Sequence, residues 1–375
     1  MERGKIPARL RQRVGSSDYV LLGLFSILLI FGLIMLTSAS SVIGYNRFGD
    51  TYFFIKRQVF YGVLPGVVAC IFFAKLPYQM LKKLAVLIAV GSVLLLIAVL
   101  IPGVGSSFNK GAKSWLVLGG FSFQPAELAK LGLVFGLALL LERMGKKITE
   151  LKEGFFPAIG AGIFFILCVV LQPDIGTASI LFAIVLALLF VAGARASHIS
   201  VLLLLAAVAF GVLIAVAPYR AARFTTFLHP ELDPQGVGYH INQAYYAIGS
   251  GGWLGRGLGY SRQKFQYLPE VHADSIFAII AEEMGFVLIV TFLVFLVCIA
   301  YRGLHIATNA PDDFGRLVVA GIICWFIIQS FFNIAAMVGL MPITGVPLPF
   351  VSHGGTALVI SLAAVGCVLN VSRQT

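Results

Sequence analysis

A succession of long apolar runs constrains this chain more than any other feature. Ten stretches read as candidate membrane spans: 19–40, 54–74, one ending near 101, 125–141, 155–171, 175–191, 199–217, 275–301, 317–337 and 350–370. A helix needs about 20 consecutive apolar residues to cross the hydrocarbon core, and helices cross because they pair their own backbone groups. Only 11% of the residues are charged and 59% are hydrophobic, whereas ordinary soluble domains are about 25% charged. The bilayer is therefore the solvent for most of the chain. The reading is an all-α, polytopic membrane protein: one domain over 1–375, about ten transmembrane helices, and a large extracytoplasmic loop, 219–273, between the seventh and eighth.

The basic residues set the orientation. The arm 1–17 carries Arg3, Lys5, Arg9, Arg11 and Arg13. The apolar run after it is too long for a signal-peptide core and has no small-residue cleavage site, so it reads as a signal anchor. Lys75, Lys82 and Lys83, then Arg143, Lys146, Lys147 and Lys152, then Arg195, then Arg302 and Arg316 mark alternate loops. That is the positive-inside pattern, and it puts both termini in the cytoplasm. The net charge of +11 is spread over loops and helix ends, not gathered on one soluble face, which excludes a nucleic-acid-binding reading. Membrane lipids are the partners that the composition implies. Cys70, Cys168, Cys298, Cys324 and Cys367 all lie in apolar runs without paired spacing. They read as small hydrophobes, not as disulfides or metal ligands.

Charges at membrane depth are the exceptions to this pattern. Each costs about 2.5–3.5 kcal/mol on insertion scales and is by default a functional-site hypothesis. In KFQYLPEVHADSIFAIIAEE, 264–283, Asp274 stands at the mouth of the eighth span, with Glu282 and Glu283 inside it. Asp at a helix start is also a favoured cap, so Asp274 has two readings: a cap, or a general base on a hydroxyl within reach. Glu270 and His272 flank it, His272 as an orienting group or second base. In QPAELAKL, 124–131, Glu127 and Lys130 share a helical face. They form a mutual ion pair, or they line a substrate groove or pair with Asp174 or Glu282. QPDIGTA, 172–178, is read structurally: Pro173 ends one helix, and Asp174 and Thr177 cap the next.

The loop 219–273 sets Arg220, Arg223, Arg256, Arg262 and Lys264 among aromatics and glycines. Arg matches phosphate oxygens bidentately and Gly lets backbone approach a ligand, so the surface suits a pyrophosphate and sugar rings. Its GSGGWLGRGLG run lacks the Gly-Lys-Ser/Thr ending and the preceding strand of a nucleotide loop. MPITGVPLPFVSHGGTAL, 341–358, is broken backbone at a membrane boundary, either a cavity wall or a tight turn.

In their order along the chain, NKGAKSWLVLGGFSFQPAELAKL, QPDIGTA, the 219–286 stretch and MPITGVPLPFVSHGGTAL resemble the SEDS family, the FtsW/RodA-type proteins of bacterial cell-wall synthesis. The resemblance spans nearly the whole chain. It implies a multi-pass protein of the bacterial inner membrane that polymerises lipid II, a disaccharide-pentapeptide on undecaprenyl pyrophosphate, beside a class B penicillin-binding protein transpeptidase. The family's essential aspartate falls on Asp274, its Glu/Lys pair on Glu127 and Lys130, and its loop arginines on Arg220 and Arg223. Lys113, Lys264, His272 and Glu270 complete the expected substrate-binding set. No metal-ligand spacing is visible, although a divalent cation, Mg or Mn, could assist. Four positions beside the motifs depart from the family pattern: Ala273 and Ser275 stand where Thr and Phe are usual, and His353 and Thr356 where Tyr and Ser are. Lys113 replaces a common Arg. A lipid II flippase and a scaffold for the transpeptidase are the alternatives: the first predicts transport without a new glycosidic bond, the second tolerance of Asp274→Asn.

Overall fold

The computed structural model describes residues 15–106, 114–118, 121–216, 218–233 and 235–374. It is a helical bundle. Among the described residues, eight helical stretches are long and apolar enough to cross a membrane. They are α1 (Tyr19–Phe48), the run from α2 (Phe53–Gln58) to α3 (Leu64–Lys75), α4 (Tyr78–Leu100), the run ending in α6 (Phe156–Val170), α8 (Ala196–Val216), α11 (Ile276–Thr308), α12 (Asp313–Met337) and α13 (Gly355–Ser372). Two more, α5 (Pro125–Met144) and α7 (Ile175–Val191), pack among them, which matches the ten expected spans.

Local chemistry accounts for the helix ends and irregularities. Asp18 caps α1, accepting from the Leu21 amide at 2.8 Å and pairing with Arg302 of α11 at 2.6 Å. Gly49 closes the same helix in the left-handed region, φ 68°, so α1 runs several residues past the expected 40. Two π turns, Val59–Val63 and Leu151–Phe155, each precede a proline, Pro65 and Pro157. Proline lacks the N–H that would bond back one turn, and a widened turn absorbs the mismatch. Asp174 caps α7 through Thr177, at 3.0 Å to its amide and 2.8 Å to its hydroxyl, as the structural reading of QPDIGTA expects.

Small residues let the helices approach closely, the usual solution where lipid competes for apolar surface. A Cβ on Gly66 of α3 would lie 2.5 Å from Leu362 of α13, and one on Gly366 of α13 would lie 2.4 Å from the Cys70 carbonyl of α3. α12 and α13 are the most enclosed spans, while α8 is almost wholly exposed.

The segment 219–273 differs from a plain loop. It holds α9 (Pro218–Leu228) and α10 (Val237–Gly251). Ile241, Ala244 and Ala247 of α10 are buried at helical spacing, and Gly251 rests on the Ala281 carbonyl of α11. A three-stranded antiparallel sheet, β1 (Gly105–Ser106), β2 (Trp115–Leu118) and β3 (Phe121–Phe123), joins α4 to α5. Both features lie at one end of the bundle, where α11 begins.

Candidate active site

Two irregular segments meet at that end, and buried amides hold them together. The first is the turn 269–275. Glu270 takes a left-handed conformation, φ 50°, and its carbonyl accepts from the Ala273 amide at 2.9 Å. The second is the strap 346–354. Asn333 of α12 donates to the carbonyls of Asp274, 2.7 Å, and Val346, 2.8 Å. Ser352 donates to the Ala273 carbonyl at 2.6 Å, and the His353 amide to the His272 carbonyl at 2.8 Å. Gln58 of α2 closes the other side, donating to Ser352 and accepting from the Gly354 amide. The MPITGVPLPFVSHGG segment is therefore a wall against the Asp274 turn, not a simple connection between spans.

The side chain of Asp274 is held loosely by comparison. Ser275 donates to its carboxylate at 3.5 Å, near the limit for a hydrogen bond. Burial raises its proton affinity and the like charge of Glu270 adds to that, while its own backbone amide, Ser275 and the Arg223 guanidinium on α9 pull the other way; the result is pushed up to about 6. A cap to the helix amides, the structural reading, is not what the side chain makes: Ser275 occupies the N-cap of α11, without a side-chain cap bond.

Cations and imidazoles gather about the turn that carries this carboxylate. Arg223 bears on Asp274 and on His240 of α10. His272 stacks at 4.3 Å on Phe54, lies 5.9 Å from the His353 ring and approaches Glu270 at 3.8 Å. Burial keeps His272 below the ordinary imidazole range, against the pull of Glu270 and with a push from Arg47. His353 is pushed down to about 4, by burial first, then by His272 and Arg57. Arg57 also lies over the rings of Phe53, 5.3 Å, and Tyr61, 5.8 Å. Arg47, Arg57, His240 and His353 were not among the expected site residues. Arg47 and Arg57 sit in sequence as ordinary helix-end charges, and only the fold shows that they bear on His272 and His353.

Other expected site residues lie elsewhere. Lys264 does not face a ligand. It is 4% exposed, and its ammonium donates to the Gly259 carbonyl at 2.7 Å, Glu283 at 3.0 Å and Ser38 at 3.2 Å. Three N–H groups meet three acceptors, so it is an internal latch. Glu127 and Lys130 are likewise buried, 3% and 1% exposed, in a mutual ion pair at 2.7 Å. Lys130 also donates to Gln329 at 2.9 Å, whose amide holds the Pro347 carbonyl. The pair braces the strap from behind and does not line a groove or reach Asp174 or Glu282. Lys113 and the side chain of Arg220 lie outside the described residues.

Glu282 and Glu283 belong to a separate construction. α11 breaks at Gly285, φ 73° and ψ 179°. The glycine-rich loop after α10 crosses that break: the amides of Arg256 and Gly257 donate to the carbonyls of Glu282 and Glu283, and those of Phe286 and Val287 to Gly252 and Trp253. A Cβ on Gly285 would lie 2.1 Å from the Gly255 nitrogen. The glycines serve backbone contact inside the protein, not approach to a phosphate. An apolar cavity of about 610 Å³ lies alongside, lined by Ile248, Phe277, Ala281, Phe286, Phe331 and Ile334 among others. Its walls are hydrocarbon and carry no titratable side chain. Among the described residues no three His, Cys, Asp or Glu gather as metal ligands would.

Comparison with known proteins agrees with this arrangement along its whole length. The chain is 43% identical over 360 residues to stage V sporulation protein E of Bacillus subtilis (strain 168), covering 96% of this chain and 98% of the relative. It is 39% identical over 363 residues to a probable peptidoglycan glycosyltransferase FtsW of Geobacter sp. (strain M18), covering 97% and 98%. Its fold superposes with a TM-score of 0.79, at 29% identity and with 95% and 98% of the two chains covered, on a chain from work described as "Structural coordination of polymerization and crosslinking by a peptidoglycan synthase complex". The crystal structure of the rod shape determining protein RodA of Thermus thermophilus superposes with a TM-score of 0.70, at 28% identity and 95% and 97% coverage. The family description "Cell cycle protein", that of FtsW, RodA and SpoVE, matches residues 18–375, and the chain belongs to that family.

Proposed function

We propose that this protein is a peptidoglycan glycosyltransferase that polymerises lipid II at the outer face of the bacterial inner membrane, with Asp274 as general base. The observation that carries the reading is the state of Asp274. It is the carboxylate at the mouth of α11 that the protein leaves without strong partners, and burial and Glu270 raise it to about 6. A base with that proton affinity is ionised at neutral pH and still basic enough to assist. Relatives named as probable peptidoglycan glycosyltransferases, similar over nearly the full length, support the same activity.

Asp274 takes the proton from the 4-hydroxyl of the acceptor's GlcNAc as that oxygen attacks the donor's anomeric carbon. The bond from that carbon to the pyrophosphate oxygen breaks, the configuration inverts, and undecaprenyl pyrophosphate leaves with the electron pair. The leaving group's charge is met by Arg223 and by Arg220, the loop arginines that the family likeness implies, with Arg57 and Arg47 beside His353 and His272 as further cations. No second carboxylate is needed. The glycan strand emerges on the face where a class B penicillin-binding protein would crosslink it; the likeness to a chain from a peptidoglycan synthase complex supports that partnership.

The test gives purified protein, alone and with its cognate transpeptidase, lipid II and separates products by size. Wild type makes polymer; Asp274→Asn makes none, although it remains folded in the membrane. An Asp274→Asn protein with near-normal turnover would remove the aspartate from the mechanism. No polymer from either, with the partner present, would leave transport of lipid II in liposomes as the activity to measure.

A further inference from the structure

Of the two residues beside Asp274 that depart from the family pattern, Ala273 and Ser275, the second brings a polar side chain. Position 275 is usually Phe beside this aspartate, and here it is Ser. Ser275 is fully buried, and its hydroxyl lies 2.6 Å from Nε2 of His240, on the first turn of α10. The same hydroxyl lies 3.5 Å from Oδ1 of Asp274, at the long limit of a hydrogen bond. An imidazole, a hydroxyl and a carboxylate therefore follow one another, joining α10 to the mouth of α11. Phe at 275 would carry neither link.

The tautomer of the imidazole sets the direction of this line. His240 is pushed down to about 4, by burial and then by Arg223, so at neutral pH it carries a single N–H. With that hydrogen on Nε2 it donates to Ser275 and leaves the hydroxyl's own hydrogen to point at Asp274; with it on Nδ1 the hydroxyl donates to Nε2 instead, and the proposal takes the first arrangement. Hydrogen bonding to the charged form of a carboxylate favours that form. The groups that bear on Asp274 are then Glu270 on its own turn, Arg223 on α9 and the His240–Ser275 line from α10, with Asn333 of α12 holding its carbonyl. Burial and Glu270 favour the neutral acid; Arg223 and the line from α10 oppose them.

We propose that His240 and Ser275 are a positioning pair for Asp274: they aim its carboxylate and hold it ionised, without touching substrate. The proposal rests on Asp274 being the reactive carboxylate, but its test does not depend on turnover alone. The carboxyl infrared band of Asp274, identified by its loss in Asp274→Asn, is titrated in the full-length protein, and the pH dependence of lipid II polymerisation is measured beside it. Ser275→Ala and His240→Ala should each raise the titration midpoint and the acid limb of the rate profile by about 0.5–1 pH unit, the scale of one hydrogen bond to a carboxylate. The double variant should match either single one, because both break the same line. Ser275→Thr, which keeps the hydroxyl, and His240→Gln, which keeps a donor, should restore most of the shift and show that the effect is not unfolding.

A band that titrates at the same pH in both Ala variants would overturn the pair, as would shifts that add in the double variant or Thr and Gln variants that restore nothing. If the band moves as expected while Asp274→Asn still polymerises lipid II, the pair stands and the base assignment falls. If polymerisation needs Asp274 and neither midpoint moves, the reverse holds.

Discussion

Asp274 and the pair Glu282–Glu283 lie within one ten-residue stretch, 274–283, and the protein treats them in opposite ways. Glu282 accepts from the hydroxyl of Ser261 at 2.5 Å, the amides of Arg262 and Gln263 at 2.9 and 3.3 Å, and the hydroxyl of Ser250 at 3.3 Å. Glu283 accepts from Ser38 at 2.7 Å and Lys264 at 3.0 Å. Asp274 has a single side-chain donor at 3.5 Å. A buried carboxylate without partners is unfavourable, so satisfied ones can be read as architecture and an under-satisfied one beside cations asks for a ligand. Acidity at membrane depth therefore does not by itself mark a reactive group, and the count of donors separates the two cases. The glutamates fix the glycine loop across the broken helix, and that clamp sets where α11 starts and where Asp274 stands.

Substitutions should separate clamp from site. The largest effect is expected at Gly285. Gly285→Leu puts a side chain into backbone 2.1 Å away, at a φ of 73° that L-residues rarely adopt. The clamp cannot form, and the protein should fail to give a monodisperse peak on size exclusion after extraction; a normal peak would show that the clamp is dispensable. Next is Lys264→Met, which leaves Glu283 buried without its cation. Breaking one side of a buried pair costs about 3–5 kcal/mol, and thermal unfolding should show a drop of many degrees, while Asp274→Asn unfolds close to wild type. The double change Lys264→Met with Glu283→Met should recover much of the loss. If Lys264→Met melted normally yet lost polymerisation, Lys264 would return to the substrate side of the comparison.

The fold was largely legible in the sequence, because apolar runs of membrane length leave few alternatives. The ten spans and the all-α class follow from hydropathy alone, and the cap at Asp174 from residue type after Pro173; Thr177, expected as a second cap, instead donates to Asp174. What hydropathy could not show was structure in polar connections: α9 and α10 lie in a segment whose composition reads as loop, and the small sheet before α5 rests on short strands among glycines. That Glu270, His272 and Arg223 lie near Asp274 was legible because they share a stretch or a motif. Lys264 was misplaced because an Arg/Lys-rich loop looks alike whether its cations face a ligand or latch the interior. Arg47 and Arg57 were not singled out for the opposite reason: they come from α1 and α2, and nothing local to them points across the bundle at His272 and His353. His240 carried no signal until its ring was seen beside Ser275.

The smallest expected effect bears most directly on why Asp274 is left under-satisfied. If the aspartate acts ionised, polymerisation should fall as pH drops through about 6, where its proton returns. Glu270 raises that value by like charge and Arg223 lowers it. Removing the negative charge with Glu270→Gln makes ionisation easier, so the acid limb should move to lower pH, by less than about one unit for an exposed neighbour. Arg223→Gln should move it to higher pH and also weaken substrate binding, because the same guanidinium meets the pyrophosphate. Opposite shifts in the two variants would place both residues in the field that tunes the base. A rate profile that ignores Glu270→Gln while Asp274→Asn is inactive would mean that proton transfer to Asp274 does not limit turnover on that limb, and the looseness of its hydrogen bonding would then serve substrate access more than basicity.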